Sequence, residues 1–183
     1  LVVALKDASA GTTAWQSSYT SVQRWLNSNQ SGVFLFVASD TDTGAPFNNI
    51  QGYNNTKAIE AFNADDANSS NVVQAVQKVV DYRNAVSAPA TSSGWYLPSV
   101  KELTLLCGKD VTDIWNDLSS RTSMRDFLNG TNGPFNKLGI SFYWSSTENN
   151  SYEISAYRLN FSSGYISIST KSSTFRVRCV LAF

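Results

Sequence analysis

Side chains that could do covalent or acid–base chemistry are few in this chain of 183 residues, which has no histidine and only two cysteines, Cys107 and Cys179. Zinc-finger spacing, Cys–His catalysis and Ser–His–Asp catalysis are therefore excluded. Scattered carboxylates lack any identifiable acid–base pairing, among them Asp65, Asp66, Asp110, Asp113 and Asp117. We predict a protein that is not an enzyme, with no catalytic residues and no cofactor.

A calcium loop is the metal site that a local motif suggests. The segment Asp40-Thr41-Asp42-Thr43-Gly44 resembles the start of such a loop. The match fails because the distant glutamate is missing at the required register, and because Ala45 and Pro46 interrupt the pattern. A polar turn explains this segment better, and we predict no metal ligands.

The overall composition limits the classes of partner. Fourteen basic residues balance fourteen acidic ones and form no basic stripe, so nucleic acid is not an expected partner. No apolar run is long enough to enter a membrane. Charged residues make up only 15% and aromatic residues 13%, with abundant Ser, Thr and Asn. This mixture is typical of extracellular recognition surfaces, although a plain β-rich secreted domain would also have it.

The length fits a single domain, residues 1–183, whose core needs no covalent staple. Because the chain begins at Leu1 without an initiator Met or a signal peptide, we expect it to be excised from a longer exported protein. In an exported protein Cys107 and Cys179 could form one disulfide, or they could be two buried free thiols. We favour the thiols.

The closing segment, Phe142 to Phe183, is where a binding surface is expected. Apolar residues recur there at every second position, as at Tyr157, Leu159 and Phe161, and the run Ser162-Ser163-Gly164 supplies a turn. This pattern predicts a short antiparallel meander with one buried and one exposed face. The exposed face, rich in Ser, Thr, Asn and Tyr, is the candidate site.

The rest of the chain must position that meander. The run Leu1–Leu5 predicts a strand that pairs with the closing strand, and 33–38 predicts another strand. Helical spacing predicts a first helix over 15–26 capped by Thr12 or Thr13, with Gly32 beyond its end. Its tryptophans could form a ligand shelf, but we favour a role in the core.

Three further helices are expected. A short one begins near Thr56 and runs through Phe62. Another carries valines on one face from Val72 to Val80, with Ser70 as its cap. The last begins at Ser99, which forms a capping box with Glu102.

Several motifs, taken in order, resemble the C-type-lectin-fold ligand-binding domains at the C-termini of bacterial surface lipoproteins. They are 2–8, 95–99, Glu102-Leu103, 143–148, 156–161, Gly164, Lys171 and 177–180. The resemblance covers the chain nearly end to end. It implies an α+β domain with the C-type lectin fold, in which two or more helices surround a small twisted antiparallel sheet and the N- and C-terminal strands pair.

The chain is also similar to a subset of that family, the variable proteins of diversity-generating retroelements. In that subset the diversified positions hold only what an NNC codon encodes, which excludes Glu, Gln, Lys, Met and Trp. The resemblance implies a diversified ligand-binding surface, with Lys171 as a framework position. The predicted surface consists of Tyr152, Ser155, Tyr157, Arg158, Asn160, Ser162, Ser163, Tyr165, Ser167, Ser169, Thr170, Ser172, Ser173, Thr174 and Phe175.

This resemblance implies an exported module, on an outer-membrane lipoprotein or a phage particle, that binds a protein or glycan ligand on another cell or a phage host. Two alternatives are an invariant structural adhesin or pilus-tip module and, less favoured, a relative of the formylglycine-generating oxidases, which share the fold. The string Trp115-Asn116-Asp117 also occurs in classical calcium-dependent lectins. Here it lies in a predicted helical stretch with no Glu-Pro-Asn or Gln-Pro-Asp partner, so calcium-mediated sugar binding is not expected.

Overall fold

The computed structural model describes residues 1–30, 50–106, 141–161 and 164–183. Within these ranges the chain is α+β. The helices are α1 (Val22–Asn29), α2 (Gly52–Ala64), α3 (Gln74–Ala85) and α4 (Val100–Leu106), with a 3-10 turn at Asp66–Asn68. The strands are β1 (Val2–Val3), β2 (Thr13–Ala14), β3 (Phe142–Glu148), β4 (Ser155–Asn160), β5 (Ile166–Thr170), β6 (Thr174–Phe175) and β7 (Val180–Leu181).

Some predictions fall outside these ranges. They concern the strand at 33–38, the turn at Asp40–Gly44, the helix-end Gly32, Cys107, the string at Trp115–Asp117 with the helical stretch 111–118 around it, and Ser162 and Ser163. None of the described helices is long and apolar enough to cross a membrane.

The two ends of the chain lie side by side. Strand β1 pairs antiparallel with β7, placing Val2 opposite Leu181 and Val3 opposite Val180. The predicted pairing of the terminal strands is therefore confirmed. The apolar run Leu1–Leu5 is not buried throughout. Leu1 is about half exposed, whereas Val3 is buried.

The closing segment forms the predicted meander. Strands β3, β4 and β5 are hydrogen-bonded in sequence order and all pairs are antiparallel. The turn between β4 and β5 requires a left-handed residue, which Gly164 supplies at φ 70° while its N–H donates to the Asn160 carbonyl at 2.6 Å. A second small sheet joins β2 to β6.

The first helix begins later than its spacing predicted. Thr13 and Ala14 instead form β2, and α1 starts at Val22, where the Ser21 hydroxyl accepts from the Arg24 N–H at 3.2 Å. The predicted cap at Thr12 or Thr13 and the helical placement of Trp15 are wrong. A core role for Trp15 is nevertheless confirmed, since its ring is fully buried and its Nε1 donates to the Ser145 carbonyl.

Helices α2 and α3 also begin where tertiary contacts satisfy their ends. Thr56 lies inside α2 rather than at its start, with its hydroxyl bonded to the Gly52 carbonyl at 2.8 Å. Ser70 does not cap α3, because Asn63 Oδ1 accepts the Val73 N–H at 2.7 Å immediately before the helix. The remote contacts at these ends are the Glu102 carboxylate, which accepts the Gly52 N–H of α2, and the Trp15 carbonyl, which accepts the Ala75 N–H of α3.

The capping box that begins α4 is confirmed. The Ser99 hydroxyl accepts from the Glu102 N–H at 3.3 Å, and Glu102 accepts from the Ser99 N–H at 2.7 Å. The same buried carboxylate also accepts the Gly52 N–H at 3.0 Å and the Tyr96 hydroxyl at 2.8 Å. Glu102 thus joins the start of α2 to the start of α4.

The interior consists of two apolar clusters. One lies among α1, α2 and α3 and includes Trp15, Phe62 and Trp144. The other packs α4 against one face of the meander and includes Leu103, Tyr143 and Leu159.

Cys179 is a free thiol buried in the first cluster. This agrees with the thiol alternative for that residue. Burial raises its pKa to about 12, so the thiol remains neutral and behaves as a small apolar group.

We expect Gly52→Ala to destabilise the protein by about 2–4 kcal/mol, because overpacking there also disturbs buried hydrogen bonds. A Cβ at this position would collide with Glu102 Oε2 and lie 2.7 Å from the Ser99 nitrogen and 2.9 Å from the Leu97 oxygen. Urea unfolding measures the change. Gly11→Ala is the control, since no atom lies within 4 Å of its added Cβ, and it should change stability by less than about 0.5 kcal/mol. Equal effects of the two substitutions would contradict the packing argument.

Candidate ligand-binding surface

A buried ion pair holds the turn between β5 and β6 in place. Lys171 is fully buried, with its Nζ 2.5 Å from Glu148 Oε1 and 3.0 Å from the Thr20 carbonyl oxygen. The ammonium also lies 4.9 Å from the centre of the Trp15 ring. Burial lowers the pKa of Lys171, and the Glu148 carboxylate opposes that change.

Glu148 carries the same link onward to helix α1. Its two carboxylate oxygens accept the N–H groups of Val22 at 3.1 Å and Gln23 at 3.0 Å. These N–H groups lie in the first turn of the helix, which has no intrahelical acceptor for them and favours negative charge. Strand β3, helix α1 and the β5–β6 turn therefore meet at one carboxylate.

The side chains around Lys171 point the other way. Thr170, Ser172 and Thr174 are exposed, while Lys171 between them is buried. Their hydroxyls make only exposed contacts, Thr170 with Ser173 at 2.9 Å and Ser172 with the Tyr19 hydroxyl at 3.2 Å. The turn backbone is thus anchored from below, and its outer side chains carry none of that anchoring.

The outer face of the meander is set by strand register. Arg158 lies opposite Ser167 on β5 and opposite Trp144 on β3, and Asn160 lies opposite Phe142. Arg158, Asn160, Ser167 and Ser169 are all partly exposed on this face. Part of this face is covered by the rest of the protein, because Trp144 and Ala156 pack into the first apolar cluster.

The Arg158 guanidinium packs against two aromatic rings that also contact each other, with ring centres 5.5 Å apart. Its central carbon is 3.7 Å from the centre of the Phe142 ring and 4.4 Å from that of Phe175. Phe175 in turn packs edge-on against Trp144 at 4.7 Å. Burial lowers the pKa of Arg158, while the nearby Tyr165 hydroxyl opposes that change.

The prediction that Tyr157 and Ser155 lie on the surface is wrong, because both are buried. Tyr157 is 1% exposed and Ser155 is 6% exposed. Positions 155, 157 and 159 alternate with Arg158 along β4, so they face the second apolar cluster. The Tyr157 hydroxyl accepts from Asn149 Nδ2 at 3.1 Å, which is a core contact.

The remaining predicted residues in the described ranges are at least partly exposed. Tyr152 and Tyr165 are the most exposed large ones, at 52% and 45%. Ser173 and Phe175 are partly exposed beside the turn. The structure thus brings the outer face and the β5–β6 turn together through Phe175, which packs on Arg158 and follows Thr174 directly. Their role in binding stays a prediction.

Sequence analysis missed a neighbouring set of residues. Tyr19, which falls within the predicted first helix over 15–26, is 51% exposed and its hydroxyl lies 3.2 Å from that of Ser172. A polar depression of about 210 Å³ also lies between the start of α1 and the β3–β4 loop. It is lined by Ser21, Gln23, Arg24, Asn27, Glu148, Asn149, Asn150 and Glu153. No local signal could reveal it, since its walls come from opposite ends of the sequence.

Among the described residues, no group of three or more His, Cys, Asp or Glu side chains could hold a metal ion.

Comparison with known proteins gives three findings. The model of the Lcl C-terminal domain family matches residues 6–181. A Bacteroides ovatus protein named "Putative fimbrium tip subunit Fim1C" is 26% identical over 168 residues, which is 90% of this chain and 27% of that protein. A crystal structure of a fimbrial protein from Bacteroides ovatus ATCC 8483 aligns with a TM-score of 0.72 at 20% identity, covering 99% of this chain and 35% of the other. This chain therefore spans about a third or less of either relative and shares the fold of the solved one.

Replacing Lys171 by methionine should destabilise the protein by about 3–5 kcal/mol, because Glu148 would remain buried without its counter-charge. The double variant Lys171→Met/Glu148→Gln should recover at least about 1 kcal/mol of that loss. Thermal and urea unfolding give both values.

The matched control for this ion pair is Lys57→Met. Lys57 pairs with Glu60 at 2.8 Å but is 46% exposed, so its loss should cost less than about 1 kcal/mol. If Lys171→Met were as mild as the control, or if the double variant recovered nothing, the buried pair would not anchor the turn.

Proposed function

This chain belongs to the Lcl C-terminal domain family, and from that premise we propose that it is the non-enzymatic binding module of a fimbrial-tip adhesin. In this proposal residues 1–183 are one domain with the C-type lectin fold, carried on the bacterial cell surface by a longer exported protein. The binding surface comprises the outer face of the meander and the β5–β6 turn. Its ligand is a protein or glycan on another cell.

One observation carries the proposal. Thr170, Ser172 and Thr174 are exposed around a fully buried Lys171, so the turn presents side chains that the fold does not need. A binding surface requires groups with a fixed position and freedom to contact a partner, and an anchored turn on a rigid scaffold provides both. Tyr152 and Tyr165 add aromatic area of the kind that recognition surfaces use.

The named relative supports the fimbrial part of the proposal. The similar Bacteroides ovatus protein carries the name of a fimbrium tip subunit, and the aligned solved structure is of a fimbrial protein. Both support the adhesin or pilus-tip alternative more than the diversified surface that the sequence first predicted. The lipoprotein anchor and the phage particle stay predictions without further support.

A catalytic role is not part of the proposal. Resemblance to the formylglycine-generating oxidases would imply a pair of cysteines near a cleft, whereas Cys179 is buried in an apolar cluster with its pKa raised to about 12. A thiol in that state is a poor metal ligand and a poor nucleophile at neutral pH.

The adhesin proposal is tested by blocking the turn. Wild-type protein is applied to a printed glycan microarray and to a displayed random-peptide library, and the ligands recovered are titrated against variants. We expect Ser172→Arg/Thr174→Arg to weaken binding at least tenfold, because two bulky charged side chains would occupy the contact area. Circular dichroism and thermal unfolding verify that the fold is kept.

The matched control places the same charges elsewhere. Asn84 and Ala85 are exposed at the end of α3, and Asn84→Arg/Ala85→Arg should bind like wild type. Absence of any ligand on both platforms, or equal loss in the two double variants, would contradict the proposed surface.

A second candidate, a surface diversified by a retroelement, rests on one specific observation. Between Ser155 and Phe175, Lys171 is the residue that an NNC codon cannot encode, and it is fully buried. Sequencing the DNA that flanks the gene tests this candidate. We expect a nearby template copy that differs at adenines, together with a reverse transcriptase gene. Their absence would leave an invariant adhesin.

A further inference from the structure

Arg158 differs from every other arginine in the described ranges in having no carboxylate partner. The others all form ion pairs: Arg24 with Glu153, Arg83 with Glu60, and Arg176 and Arg178 with Asp7. The Nε of Arg158 is buried and has no hydrogen-bond partner among the described residues. Buried charged groups are normally paired, so this one needs an explanation.

The guanidinium is also held rigidly. Phe142 and Phe175 lie 3.7 Å and 4.4 Å from its central carbon. Contact with both rings restricts the side chain, and a guanidinium carries in-plane N–H donors that can bind a bidentate acceptor. The side-chain entropy that an arginine normally loses on binding is therefore largely lost already in the fold.

A second unsatisfied group lies next to it. Ser167 is opposite Arg158 in the strand register, and its buried hydroxyl has no hydrogen-bond partner either. Three acids on or beside the meander have other partners: Glu148 pairs with Lys171, Glu153 with Arg24 and Asp7 with Arg176. This part of the surface thus has a positive charge and hydrogen-bonding capacity that the described chain does not use.

We propose that Arg158 binds the carboxylate of an aspartate or glutamate side chain on a protein partner. The inference rests on the proposed binding function and names the chemistry of its ligand. A carboxylate supplies the planar pair of acceptors that the stacked guanidinium lacks. Burial lowers the pKa of Arg158, and a bound anion would offset that cost. The nearby Tyr165 and Ser167 favour a protein partner, because Arg and Tyr dominate the binding energy of protein interfaces.

The experiment pans a displayed random-peptide library on the intact chain and titrates the recovered peptides by fluorescence anisotropy. We expect peptides enriched in Asp or Glu, and at least tenfold weaker binding after that acid is changed to Asn or Gln. Arg158→Met keeps an unbranched side chain against the two rings and should weaken binding at least tenfold. Arg158→Lys keeps the charge without the bidentate geometry and should bind less tightly than wild type.

Arg24→Met is the matched control, because Arg24 is exposed and already paired with Glu153; it should bind the peptides like wild type. If Arg158→Met failed to fold, the substitutions in the peptide would test the same contact from the other side. Peptides without acids, or peptides that bind Arg158→Met as tightly as wild type, would overturn the role of Arg158 while leaving a binding module. If a glycan array instead recovered acidic glycans whose binding depends on Arg158, the proposal of a protein partner would be overturned. Failure to recover any ligand would overturn the binding function itself.

Discussion

The buried contact between Lys171 and Glu148 is the constraint on which the described architecture depends. A lysine ammonium removed from water is costly, and an ion pair offsets that cost only when its other hydrogen bonds are satisfied. Here the Thr20 carbonyl and the first-turn N–H groups of α1 complete the set. Segments from both ends of the chain must therefore be in place together, which makes this contact a strong determinant of a single native arrangement.

This constraint separates scaffold from surface within one short stretch. In the β5–β6 turn the side chain that holds the backbone is directed inward, and its neighbours are directed outward. The strand period of two makes the same separation along β4, where Tyr157 faces the core and Arg158 faces the surface. Residues adjacent in sequence can thus have unrelated roles, and the outward ones can vary with little effect on folding.

Polar groups in this fold are mostly satisfied at great sequence distance. Glu102 joins two helices, Asp7 joins the first residues of the chain to Arg176, and Glu148 joins α1 to the closing turn. Against that background the unpaired Arg158 stands out, because the rest of the described chain neutralises its arginines. The aromatic rings that hold Arg158 come from β3 and β6, so its rigidity is a product of the same long-range assembly.

The sequence by itself determined what depends on local chemistry and periodicity. The meander, the pairing of the terminal strands and the Ser99–Glu102 capping box all follow from alternation, apolar runs and a cap motif, and the structure has each of them. Tertiary structure alone decided where α1, α2 and α3 begin, because Glu148, Glu102 and the Trp15 carbonyl accept first-turn N–H groups from remote positions. It also decided which polar residues of the closing segment are exposed. Composition could not separate Tyr157 from Arg158, since both are compatible with a binding surface, and only the strand register against the second apolar cluster turns one of them inward.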